Sequence, residues 1–138
     1  MSIKENRKLV LSVFSAIEER KDQRFSELLH PDFEIHWPAS LPYGEGKART
    51  WTETWNPLQP TEVERRMDPR VVATNEGEVV VLWRQRGLSP AGERFDGEVL
   101  GLYQVREGKL ARAQMFYFDT VAAAAFLERS MQQNGDDA

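Results

Sequence analysis

The chain has 138 residues, no cysteine, 41% hydrophobic and 29% charged residues, and a formal net charge of −4. That length suits one domain with a single sizeable core, since about two-thirds of the unfolded surface is buried on folding at this size. Without cysteine there are no disulfides, thiolate nucleophiles or thiolate metal ligands, and basic residues scattered among acidic ones leave no footprint for a nucleic-acid backbone.

The opening Met1-Ser2-Ile3-Lys4-Glu5 lacks an apolar signal region, and no apolar run approaches the roughly 20 residues that cross a bilayer. A cytoplasmic protein without a membrane partner is expected. From Ile3 to about Glu19, Leu9, Val10, Val13, Phe14 and Ile17 recur at helical spacing among polar residues, which predicts an amphipathic helix. Phe25, Leu28 and Leu29 make a second short apolar face, and Pro31 disfavours helical geometry at His30, so the second helix should end there. Asp32 to Trp37 alternates as a short strand, with Phe33, Ile35 and Trp37 on one face and Glu34 and His36 on the other. Pro38, Pro42, Gly44 and Gly46 predict a loop, and Lys47 to Asn56 a third helix with Trp51 and Trp55 on one side and Pro57 as terminator.

The second half changes period. Glu62 to Asn75, Glu78 to Leu88, Glu93 to Arg106 and Lys109 to Asp119 are rich in Val, Arg, Trp and Tyr and are separated by short turn sequences, which predicts four antiparallel strands in a meander. Pro69 marks an edge or a bulge in the first of them. Val121 to Met131 predicts a closing helix, and the polar stretch 132–138 an unstructured tail, so that residues 1–131 form the one domain. Helices followed by hairpins specify an α+β fold: N-terminal helices packed on a strongly curved antiparallel sheet, with an aromatic pocket between them.

The order of these elements, with Phe33-Glu34-Ile35-His36-Trp37-Pro38, Tyr43-Gly44-Glu45-Gly46, Glu107-Gly108-Lys109-Leu110 and Tyr117-Phe118-Asp119-Thr120, resembles the nuclear transport factor 2-like superfamily over about residues 5 to 127. Within it the chain is most similar to the SnoaL-like polyketide cyclases and the ketosteroid isomerase-related proteins. The resemblance implies a cone-shaped (cystatin-like) fold, a deep pocket between helix and sheet, and a homodimer formed through the sheet. Fold alone does not settle function, because the superfamily holds isomerases, cyclases, dehydratases, epoxide hydrolases and non-catalytic pockets. The isomerase constellation of a Tyr donor, an Asp base and a protonated Asp falls on Phe14, Trp37 and Gly101, so all three functional groups are missing. The same alignment turns Val81, Trp83 and Gln85 inward, with Val99, Gly101 and Tyr103 on the next strand and Gln114, Phe116 and Phe118 on the last. Gly97 and Gly101 would let the sheet bend and leave volume unfilled.

Asp119 stands where SnoaL-like cyclases carry an acid/base Asp, and a carboxyl beside an aromatic pocket suits proton exchange with a carbon acid; it is equally a helix N-cap for the Val121 segment. His36 is the natural neutral-pH base, although strand alternation turns it from the Trp37 face. His30 complements a helix C-terminus. Trp37, Trp55, Trp83 and Tyr103 are either stacking surfaces for a flat ligand or simply core, and Tyr43, in a Gly-rich loop, is a candidate lid. Gln85 and Gln114 are candidate neutral anchors. Two histidines at this spacing do not make a metal site, and neither a nucleophile elbow nor a phosphate loop is present, so no cofactor is implied. Asp96, Arg84 and Asp119 match an epoxide-hydrolase set by type, but Asp96 and Arg84 should face outward. The expectation is a small apolar or aromatic carbonyl compound as ligand, with cofactor-independent cyclase or isomerase chemistry, or alternatively ligand binding or dimerisation without catalysis.

Overall fold

A computed structural model describes residues 2–42, 46–49, 58 and 66–136. Helix α1 (Ile3–Glu18) starts where the Ser2 hydroxyl accepts the Glu5 amide at 3.1 Å, satisfying one of the orphan donors of a helix N-terminus. It ends in a Schellman turn: the amides of Arg20 and Lys21 reach the carbonyls of Ile17 and Ala16, with Arg20 left-handed at φ 54°. Helix α2 (Asp22–Leu28) leads straight into β1 (Leu29–His36). His30 therefore lies in the strand rather than at a helix terminus; it is buried, and its Nδ1 accepts the Asp32 amide at 3.0 Å.

Strand β2 (Lys47–Ala48) pairs antiparallel with Ile35 and His36. A third helix was expected to begin at Lys47; these two residues are extended instead, held by the β1 ladder, and 50–56 lie outside the described residues. The meander follows as β3 (Arg70–Thr74), β4 (Glu78–Leu88), β5 (Arg94–Arg106) and β6 (Lys109–Tyr117). The order among the described strands is β2-β1-β6-β5-β4-β3, antiparallel except where β1 runs parallel beside β6. The sheet is thus mixed, and curved around the three described helices.

Turn chemistry sets the hairpins. Asn75 Oδ1 accepts the amides of Gly77 and Glu78 at 2.9 and 2.7 Å, closing β3–β4. Glu107 and Gly108, at φ 55° and 75°, close β5–β6 with the left-handed pair that a two-residue hairpin needs. Beyond that turn Val105 pairs with Leu110 but Gln104 with Arg112, so Ala111 is an extra residue, a β-bulge.

Val79, Val81 and Trp83 of β4, Val99 and Tyr103 of β5, and Ala113 and Met115 of β6 are buried on the concave face against Val10, Val13 and Phe14 of α1. At Gly97 and Gly101 the place a Cβ would take is already covered. A Cβ on Gly97 would sit 2.7 Å from the Phe95 ring, and one on Gly101 would collide with the Tyr103 ring, so each glycine is roofed by the aromatic two residues along its own strand.

Helix α3 (Thr120–Asp136) is capped by Asp119, whose Oδ1 accepts the Ala122 amide at 3.0 Å. It packs Phe126 on Phe95 with ring centroids 5.4 Å apart, and Arg129 pairs with Glu93. The helix continues to Asp136, into the polar stretch that composition suggested was a tail; glutamine is a good helix former and extends it.

Two stability predictions follow from this packing. Gly101→Ala is expected to cost about 1–3 kcal/mol through the clash with the Tyr103 ring, read from urea unfolding midpoints; an unchanged midpoint would show that the ring moves aside freely. Asp119→Ala should cost about 1 kcal/mol and Asp119→Ser much less, because serine keeps a capping oxygen; equal losses in both variants would refute capping as the source.

Candidate functional site

The concave interior collects the aromatic side chains. Phe14 presents its edge to both Trp83 (centroids 5.9 Å, interplanar angle 66°) and Tyr103 (5.6 Å, 71°), the arrangement favoured by ring quadrupoles. Between α1, α2 and the sheet a small void of about 10 Å³ remains, lined by Phe14, Ile17, Phe25, Met67, Trp83, Tyr103 and Met115 among others. That is about the space of one water molecule, and its walls are apolar. The Phe95 and Tyr103 rings occupy the space directly beside Gly97 and Gly101, where the bend of the sheet was expected to leave volume.

Trp83, Tyr103 and Gln85 bring polar groups into the interior. Trp83 is 2% exposed, and its indole N–H is buried without a hydrogen-bond acceptor among the described residues. The Tyr103 hydroxyl donates to Met115 Sδ at 3.8 Å, a weak acceptor. Burial pushes the Tyr103 hydroxyl far up from the ordinary phenol range, opposed by the nearby Trp83 N–H. The indole is close enough to exert that pull, yet it does not meet hydrogen-bond geometry and remains unsatisfied. Gln85 is also buried and inward; its amide donates to the Arg86 carbonyl at 3.3 Å.

The remaining predicted residues are dispersed. Trp37 is buried in the core, its amide bonded to the Gly46 carbonyl at 2.9 Å. Tyr43 and Trp55 lie outside the described residues, as does Trp51. His36 is on the convex face, its Nε2 3.0 Å from Glu34 Oε2; that hydrogen bond is the main reason the Glu34 carboxyl is held below its usual range. Arg84 and Asp96 pair with each other at 2.7 Å on the same convex face, away from the interior.

Strand β6 departs from the expected facing. Gln114 and Phe116 lie on the convex side, and Phe118 is 85% exposed. Counting by twos from buried Leu110 would turn 114, 116 and 118 inward, but the extra Ala111 reverses the phase, so Ala113 and Met115 face the core. Met115, which accepts from Tyr103, is therefore a site residue that the family alignment left on the other face; two adjacent buried residues, Leu110 and Ala111, mark the bulge. Asp119 is exposed at the end of β6, one carboxylate oxygen on the Ala122 amide and the other unbonded among the described residues.

No curated protein matches the chain. Solved structures similar to it include TerC co-crystallised with polyporic acid, with a TM-score of 0.71 and 21% identity over 90% of this chain and 98% of that one. An NTF2-like protein from Burkholderia xenovorans LB400 superposes with a TM-score of 0.72 at 21% identity, covering 91% and 97%. A protein from Xanthomonas campestris pv. campestris, provisionally named a polyketide cyclase, gives 0.69 at 16%, covering 91% and 98%. At these identities the likeness establishes the fold alone. The family model for the SnoaL-like domain matches residues 10–113, most of the chain. The chain belongs to the SnoaL-like domain family, and its fold is the NTF2-like one.

Proposed function

We propose that this protein binds a small apolar or aromatic carbonyl compound in the interior between α1, α2 and the concave faces of β4, β5 and β6. The observation that carries this reading is the uncharged lining: Phe14, Trp83, Tyr103, Met67 and Met115 surround a void with no ionised group on its wall. Membership of a family whose fold is of a small-molecule-binding type supports it, as does a similar structure obtained with polyporic acid. The methionines supply adaptable walls, since a thioether chain repacks at low cost.

A second reading adds cofactor-independent acid/base chemistry, cyclisation or isomerisation, with Asp119 as proton carrier. Asp119 is exposed, and its second carboxylate oxygen is unbonded among the described residues, which favours it. His36, bonded to Glu34 on the convex face, and Tyr43, outside the described residues, stand as further candidates in that scheme.

We also propose that the convex face pairs two copies of the chain. Phe116 (48% exposed), Leu100 (39%) and Phe118 form its apolar surface, a patch of the kind that marks association sites.

Three measurements test these readings. A thermal-shift panel of small aromatic ketones should raise the melting temperature, since a ligand that binds only the native state stabilises it; a flat response across the panel would sink the binding proposal. With a substrate in hand, Asp119→Asn should lower turnover by about 100-fold or more if Asp119 carries the proton, whereas unchanged turnover leaves binding alone. Sedimentation should give a dimer for the native chain and a monomer for Phe116→Glu; a native monomer would refute the pairing.

A further inference from the structure

We propose that Trp83 and Tyr103 form a two-donor clamp for the carbonyl oxygen of the bound compound, an inference that rests on the interior-binding reading above. Among the described residues the buried Trp83 indole N–H has no acceptor, and the Tyr103 hydroxyl has only the thioether of Met115, at 3.8 Å. Buried donors are almost always satisfied, because an unmet one keeps its full desolvation penalty. Two such donors side by side in an apolar interior are a standing demand for one acceptor.

The backbone shows how they come together. Trp83 is paired across the ladder with Val99, and Gly101 with Val81. Gly101 thus sits between Tyr103 and the Trp83–Val99 rung. Lacking a Cβ, it lets the Tyr103 ring lie back along β5, with both the ring and the hydroxyl oxygen over the space a Cβ would fill. Phe14 holds both rings by edge-to-face contact.

The chemistry of the pair selects the ligand atom. Burial keeps the Tyr103 hydroxyl protonated, so it acts as a donor. Arg84 and Arg86 project from the convex face into ion pairs with Asp96 and Asp68, which leaves neither to neutralise an anion inside. An alcohol could accept from both donors, but its own O–H would then need an acceptor in this apolar surround, and a carboxylate would need a cation. A ketone or quinone oxygen, acceptor-only and neutral, satisfies both donors at once. The pair borders the water-sized void, and a ligand enters there by displacing the flexible Met67 and Met115 side chains and the partly buried Ile17 and Phe25.

The test compares 1-indanone with indane, which differ by a carbonyl in place of a methylene, on the full-length protein. The native chain should bind indanone about thirtyfold more tightly than indane, equivalent to two neutral hydrogen bonds. One of the four tryptophan indole N–H resonances should move downfield with indanone and stay put with indane. The carbonyl stretch of bound indanone should fall below its value in hydrocarbon solvent. Tyr103→Phe removes only the hydroxyl; its melting temperature should stay near native, its preference should drop to about fivefold, and the stretch should move part of the way back. Equal binding of both probes with an unshifted carbonyl, or no moving indole resonance, overturns the clamp and leaves the interior-binding reading intact. Failure of both probes to bind overturns that reading and the clamp with it.

Discussion

The contact on which the arrangement depends is the double edge-to-face packing of Phe14 against Trp83 and Tyr103. Each such pair contributes about 0.5–1.5 kcal/mol beyond its buried area, but position matters more than magnitude here. Phe14 is the point at which α1 meets the concave face, and it fixes both rings of the candidate site at once. Beneath it, β4 and β5 form an uninterrupted ladder from Glu78–Gln104 to Leu88–Arg94, a stiff base on which Trp83 and Tyr103 have little freedom to part. Helix, ladder and site are thus one packing problem with a shared solution.

The two faces of the sheet divide their chemistry. Ionised groups collect on the convex side, where Arg84, Arg86, Asp96 and Asp68 form a network and Glu34 meets His36. The concave side holds neutral donors in apolar surroundings, where an unscreened hydrogen bond is worth most and an unmet one costs most. Asp119 belongs to neither region: it stands at the junction of β6 and α3, serving the helix with one oxygen.

Much of this was legible in residue order, and what was legible was local. The phase of α1 and the Asn75 and Glu107-Gly108 turns follow from spacing and turn chemistry, the inward set on β4 and β5 from the family alignment, and the structure has them in those places. What escaped depends on partners far along the chain. Lys47 and Ala48 take the form dictated by β1. His30 is drawn into a strand beside Asp32, Arg106 and Glu107 instead of ending a helix. The rings that roof Gly97 and Gly101 come from their own strand, where alternation shows that they share a face but not that they lean.

The bulge at Ala111 has the widest reach of these features. One surplus residue decides that Met115 enters the interior while Gln114, Phe116 and Phe118 are left outside. Removing it would exchange the two sets without altering any of their side chains: the Gln114 amide would meet Tyr103, and Met115 and Tyr117 would take the convex places of Gln114 and Phe116. The polarity of the interior and the stickiness of the exterior are therefore coupled through backbone length at a single position, so a deletion there would rewrite both properties together, where a point substitution changes only one.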